Sequence, residues 1–184
     1  MNIFRVDDDP ILAAQMLCNS HVVKMVVESA QMLSTAHRVL DGKIEKRYSK
    51  KFRKITYYNH LADHILYKAV HVNHPSTVWT RETSENYIWH YRHFEALCYE
   101  YTYRYGKIHE TETKLLKFLG KIPTNINVSS ETPLKLAMSD HPECQFPNDP
   151  VKSYRLFYQT KQDRFKMVWT KRNQPEWFKR RINE

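Results

Sequence analysis

The chain has 184 residues with a formal net charge of +9, and 41% of its residues are apolar. That length suits one domain with one core, and the lack of any apolar run of 18 or more residues argues against a membrane-spanning helix. With only 3 glycines, sheets, hairpins and phosphate-cradling loops are disfavoured, so the expectation is all-α: a compact helical bundle with irregular loops, one domain over residues 1–184.

In chain order, Asp9-Pro10 reads as an N-cap with proline at the first helical position, opening a short helix through Leu17. Asn19-Ser20 interrupts it. Ser20 is placed to cap a longer helix to about Leu40, which Gly42 would end in a left-handed conformation. On this helix His21, Lys24, Glu28, Gln31 and Thr35 fall within an arc of about 60–80°, while Val22, Val23, Val26, Ala30, Leu33 and Leu40 occupy most of the rest. A surface helix reverses those proportions, so the polar stripe is expected to face a cleft.

Residues 43–54, with Lys43, Lys46, Arg47 and Lys54 among their cations, read as a basic loop. Helical spacing resumes from Tyr57 to Val70, stops before Pro75 and restarts briefly at Ser76. Thr83 and Ser84 cap a helix to Tyr105 that Gly106 ends, and Glu110 to Leu119 forms another, closed by Gly120. Residues 121–148 read as an irregular connection, and Asp149-Pro150 opens a last helix. From 161 to 184 the tail interleaves cations with rings; Arg164, Lys171, Arg172, Trp177 and Lys179 form a pattern that can hold a phosphate backbone and stack on bases.

Glu28 has the most chemical potential. A desolvated carboxylate kept ionised by Lys24, one turn earlier, is a usable general base or a stabiliser of developing positive charge, with His21 able to orient or donate. A buried structural ion pair is the plain alternative. Arg5, His74, Trp79, Arg81, Asn86 and Tyr87 make further candidates for substrate contact, although Asn86 also suits a capping role and Trp79 a core one. The pairs His60/His64, His71/His74 and His90/His93 have helical metal-ligand spacing, but no His-Glu-x-x-His unit or Cys pair supports them, so neither metal nor cofactor is expected. Three widely spaced cysteines, Cys18, Cys98 and Cys144, suit free thiols in a reducing compartment. The first residues lack a secretory pattern, so a cytoplasmic location is expected. The basic charge favours nucleic acid or a nucleotide as partner, and no membrane.

A helix carrying His21 and then Glu28 resembles the first long helix of the phage endonuclease V type pyrimidine-dimer DNA glycosylases. Pro175-Glu176-Trp177-Phe178-Lys179 is similar to that family's closing segment, and His37-Arg38-Val39-Leu40-Asp41-Gly42-Lys43 to the basic stretch after its catalytic helix. Met1-Asn2-Ile3-Phe4-Arg5-Val6-Asp7 and His71-Val72-Asn73-His74-Pro75 resemble segments of phage proteins labelled as relatives of that family. The resemblance implies an all-helical enzyme that cleaves the N-glycosidic bond of a damaged pyrimidine, with possible AP-lyase activity, in the cytoplasm of an infected host cell. It also implies that the amine of residue 2 attacks the sugar C1′ while a glutamate matching Glu28 assists. Here residue 2 is Asn2, whose bulk hinders removal of Met1, so the free amine is expected on Met1, with Lys24 as a second candidate. Val27 and Gln31 stand where the family has phosphate-binding arginines. Two alternatives follow: an enzyme that hydrolyses or modifies a free nucleotide or nucleotide-like signal, and a non-enzymatic protein that binds and sequesters nucleic acid or nucleotide.

Overall fold

The computed structural model describes residues 1–48 and 54–181. Its centre is the helix that carries the polar stripe, α2 (Asn19–Leu40), preceded by α1 (Pro10–Gln15). The remaining helices are α3 (Pro75–Thr80), α4 (Ser84–Tyr105), α5 (Glu110–Leu119) and α6 (Pro150–Gln159). Helix α2 packs against α3, α4 and α5, and α1 lies on α4. No helix among the described residues is long and apolar enough to cross a membrane.

Local chemistry sets most helix ends. Asp9 accepts from the N–H groups of Ile11 and Leu12, Thr83 from that of Asn86, and Asp149 from that of Lys152. Gly106 takes φ +69 at the end of α4, the left-handed turn that glycine makes without strain. Gly42 acts differently from the expected left-handed cap, since among the described residues Gly106 is the only glycine with positive φ. A Cβ on Gly42 would collide with the Arg38 carbonyl oxygen and lie 2.6 Å from that of Asn59, so glycine is needed there for close approach. Nor does Ser20 cap α2: Cys18 takes that position without a side-chain bond.

The all-α expectation is corrected by a two-stranded antiparallel sheet that makes the fold mixed. Strand β1 (Lys43–Tyr48) pairs with β2 (Lys54–Asn59) in a register that sets Lys43 opposite Asn59 and Tyr48 opposite Lys54. The basic loop expected over residues 43–54 is this ribbon, apart from positions 49–53, which lie outside the described residues. The helix expected from Tyr57 is likewise replaced by β2 and a series of turns. Ile44, Tyr48, Ile55, Thr56, Tyr57 and Tyr58 are the strand-favouring types that account for it, and pairing with a second segment outweighs their weak helical spacing. Residues 121–148 are irregular, with one short 3-10 turn at Pro142–Cys144.

A buried ion cluster ties the sequence ends together. Glu100 of α4 accepts from Arg104 at 2.7 Å and from Arg172 of the tail at 2.9 Å, while Arg104 also reaches the Gln15 carbonyl and the Asn19 side chain. Met16 accepts from Trp169 through its carbonyl, and Phe178 is buried beside that ring. The tail is therefore a strap across the α1–α2 junction.

Candidate active site at the chain start and Glu28

The first residues enter the core instead of trailing from it. Ile3 is fully buried, and Phe4 adopts φ +55, a left-handed conformation that costs a non-glycine residue free energy and is sustained only by its surroundings. Phe4 stacks on His21 and meets Tyr158 edge-on. Asn2 directs the bend: its Oδ1 accepts from the N–H of Ile3 at 2.8 Å, and its Nδ2 donates to the Ala137 carbonyl at 3.1 Å.

This entry angle brings the chain start to Glu28. The backbone N–H of Asn2 donates to Oε2 of Glu28 at 3.3 Å, and the Met1 amine lies 4.0 Å from the same oxygen. The other oxygen, Oε1, pairs with Lys24 Nζ at 3.3 Å. The Glu28 side chain is 16% exposed and that of Lys24 58%. Lys24 is thus a solvated surface cation. His74 completes the cluster from the start of α3: its Nδ1 accepts from Ser76 N–H, and its ring feels the charges of both the chain-start amine and Glu28. Burial first, then that neighbouring amine, lowers the His74 pKa and favours the neutral ring. Thr77 Oγ1 reaches the Met1 sulfur at 3.5 Å.

The stripe divides. Its middle, Lys24, Glu28 and the half-buried Gln31, borders the surface, whereas its ends belong to the core. His21 Nδ1 pairs with the Tyr158 hydroxyl at 2.8 Å, and its pKa falls to about 4 through burial and then the charges of Lys24 and Lys161. It is a neutral, buried ring packed between Phe4 and Tyr158. Thr35 donates to the Gln31 carbonyl and accepts from Val70 N–H at 3.2 Å, which fastens the 66–74 segment to α2.

The other expected contacts are placed elsewhere. Arg5 is committed to Asp8 and Glu131 and lies over Trp89. Trp79 donates to the Thr132 carbonyl, and Asn86 bridges Trp79 and Thr132, so both latch residues 129–132 to α3 and α4. The Tyr87 hydroxyl sits between His37 and the Leu119 carbonyl, and Arg81 folds back onto Thr77. In the tail, Arg172 is consumed by Glu100, Lys171 donates to the Tyr103 carbonyl, and Trp177 packs edge-on to Tyr158, so these groups are structural. Arg164 and Lys179 are exposed.

Lys161 carries weight that its place in a basic tail conceals. It is 8% exposed, its Nζ lies 3.5 Å over the Phe157 ring, and no carboxylate pairs with it among the described residues. Burial, then Arg164 and Lys24, pushes its pKa down to about 8. Its sequence signal is small, since only the fold sets it beside Lys24. Both cations act on the His21 ring, whose pKa they lower after burial.

Among the described residues two clusters have metal-like composition, His37/Asp41/His60 and His141/Glu143/Cys144. In the first, Asp41 accepts the N–H groups of Thr124 and Asn125, and His60 Nδ1 accepts that of Ala62, which leaves the neutral ring's proton on its other nitrogen. In the second, His141 Nδ1 pairs with Glu143, and burial raises the Cys144 thiol. Neither set directs three free lone pairs at one point. Compared with protein-family profiles, curated proteins and solved structures, the chain matches none.

Proposed function

We propose that the protein cleaves the N-glycosidic bond of a nucleotide in DNA, as the resemblance to the pyrimidine-dimer glycosylases implies, using the amine at its chain start as nucleophile. The observation that supports this best is the approach of the Met1 amine and the Asn2 nitrogen to one oxygen of Glu28, at 4.0 and 3.3 Å. A carboxylate at that position pairs with the ammonium and takes its proton, freeing the lone pair.

The nitrogen then bonds to C1′ as the C1′–base bond breaks, and the bonding pair leaves with the base, which gains a proton. Opening of the sugar ring protonates O4′, and loss of the remaining amine proton leaves a C1′=N imine. Removal of a C2′ proton can then expel the 3′ phosphate, and water releases the product. Glu28 acts as the proton carrier, and Lys24, paired with its other oxygen at 3.3 Å, meets the phosphate charge. With Met1 in place the nucleophile is its own amine; with Met1 removed, the Asn2 nitrogen occupies the nearer position.

Borohydride reduces an imine to a stable amine, so incubation with damaged-base and abasic DNA should yield a covalent adduct whose peptide map ends on residue 1 or 2. No adduct and no base release across the panel would refute this chemistry. A second reading, hydrolysis of a free nucleotide, draws on Val27 and Gln31 at the positions of the family's phosphate-binding arginines. It predicts turnover that survives masking of the N-terminus.

A further inference from the structure

The β1–β2 ribbon is held more firmly than a surface loop requires, and its exterior is not buried by the body. The Arg38 side chain, buried at the end of α2, donates to the carbonyls of Tyr58, Leu66 and Tyr67 and pairs with Asp63. With the close approach at Gly42, this clamp fixes the direction in which the ribbon leaves the helix. Beyond the clamp the ribbon is solvated on both faces, with Ile44 57% and Tyr48 74% exposed. The register sets Lys43, Glu45 and Arg47 on one face, where Arg47 occupies the carboxylate, and Lys46 and Lys54 on the other with Ile44 and Tyr48; Lys43, Lys46 and Lys54 have no carboxylate partner among the described residues.

The ribbon also has a fixed relation to Glu28. Gly42 follows it by fourteen positions on or just beyond α2, about 21 Å along the axis and about 40° around it, so both lie toward the same side. The segment returning from the ribbon runs beside α2 toward Glu28, with Leu66 and Tyr67 at Arg38, Val70 at Thr35 and His74 near the carboxylate. At the ribbon's foot a cleft of about 530 Å³ is walled by Tyr57, Tyr58, Lys68 and Lys114.

We propose that the β1–β2 ribbon is a DNA arm that enters the major groove of the duplex whose nucleotide is held at Glu28. This rests on the reading of DNA as substrate. The major groove of B-form DNA admits a two-stranded ribbon, whereas that of A-form RNA is too deep and narrow. The occupant is therefore duplex DNA, with the lysines on phosphates and Tyr48 and Ile44 against the groove.

The test measures binding of Glu28→Gln protein to a duplex of about 20 base pairs and to a single-stranded trinucleotide, with and without Lys43→Gln, Lys46→Gln and Lys54→Gln. The triple substitution should weaken duplex binding at least ~10-fold and lower the salt slope by about 0.9 for each phosphate that is no longer neutralised. Trinucleotide binding and melting temperature should stay the same. Unchanged duplex binding, an equal loss on the trinucleotide, or equal affinity for RNA duplex would overturn the arm. So would failure of the parent protein to bind duplex, while adduct trapping would still decide the Glu28 chemistry on its own.

Discussion

Glu28 stands between two amines with different surroundings, and the proposal gives them different roles for that reason. The Lys24 ammonium is well solvated, whereas the Met1 side chain is only 4% exposed and its amine is brought in by a bent, anchored segment. Glu28→Gln keeps the shape and can still accept the Asn2 N–H, but it cannot take a proton. Base release and imine trapping should fall by about 10²–10⁴-fold in single-turnover assays, the usual weight of a general base. The melting temperature should change little, because a partly exposed pair such as Lys24–Glu28 is worth at most ~1 kcal/mol. If Glu28→Gln leaves every measurable function unchanged while neutralising the exposed tail cations Arg164 and Lys179 abolishes it, the protein works as a binder. Lys24→Gln should leave the trapped adduct in place, which separates the two amines.

Among the elements, α2 connects chemistry to architecture, since one end carries the ribbon and its middle carries Glu28. Gly42→Ala would force a Cβ into two backbone oxygens that cannot rotate away, and should cost about 1–3 kcal/mol in urea unfolding, with faster amide exchange in β1 and β2. Wild-type stability there would show that the helix–ribbon junction is looser than its geometry. In α4, Glu100→Gln leaves Arg104, whose side chain is 0% exposed, without its counter-charge. A loss of about 3–5 kcal/mol is expected, together with release of the 161–181 strap to proteolysis. A loss near zero would mean that Arg104 is served by the Gln15 and Asn19 oxygens alone.

For the molecule as a whole, buried histidines set the acid limit. Burial lowers the pKa of His21 and His37 to about 4 and that of His93 to about 3. Each stays neutral in the folded chain while the unfolded chain takes up a proton near pH 6.5. Stability should thus be full above pH 6.5 and decline toward pH 4 by up to about 1.4 kcal/mol per pH unit for each histidine. Urea titrations at pH 7, 5.5 and 4.5 measure this, and a flat profile would mean that these rings are protonated in place.

What the residues determined by themselves is local. The caps at Asp9, Thr83 and Asp149, the glycine stop at Gly106 and the polar run through Glu28 each act within a turn or two of helix, where hydrogen bonds and periodicity decide. Tertiary structure decided what depends on distant partners. The ribbon needed residues 43–48 to meet 54–59, and with both faces solvated no inward-outward alternation announced it. His21 and Thr35 left the stripe for the core because Tyr158 and Val70 arrive from far along the chain. Lys161 came beside Lys24 in the same way. The approach of Met1 and Asn2 to Glu28, across 26 positions in the case of Asn2, depended on the left-handed bend at Phe4 and the Ala137 carbonyl, which spacing along one helix does not encode.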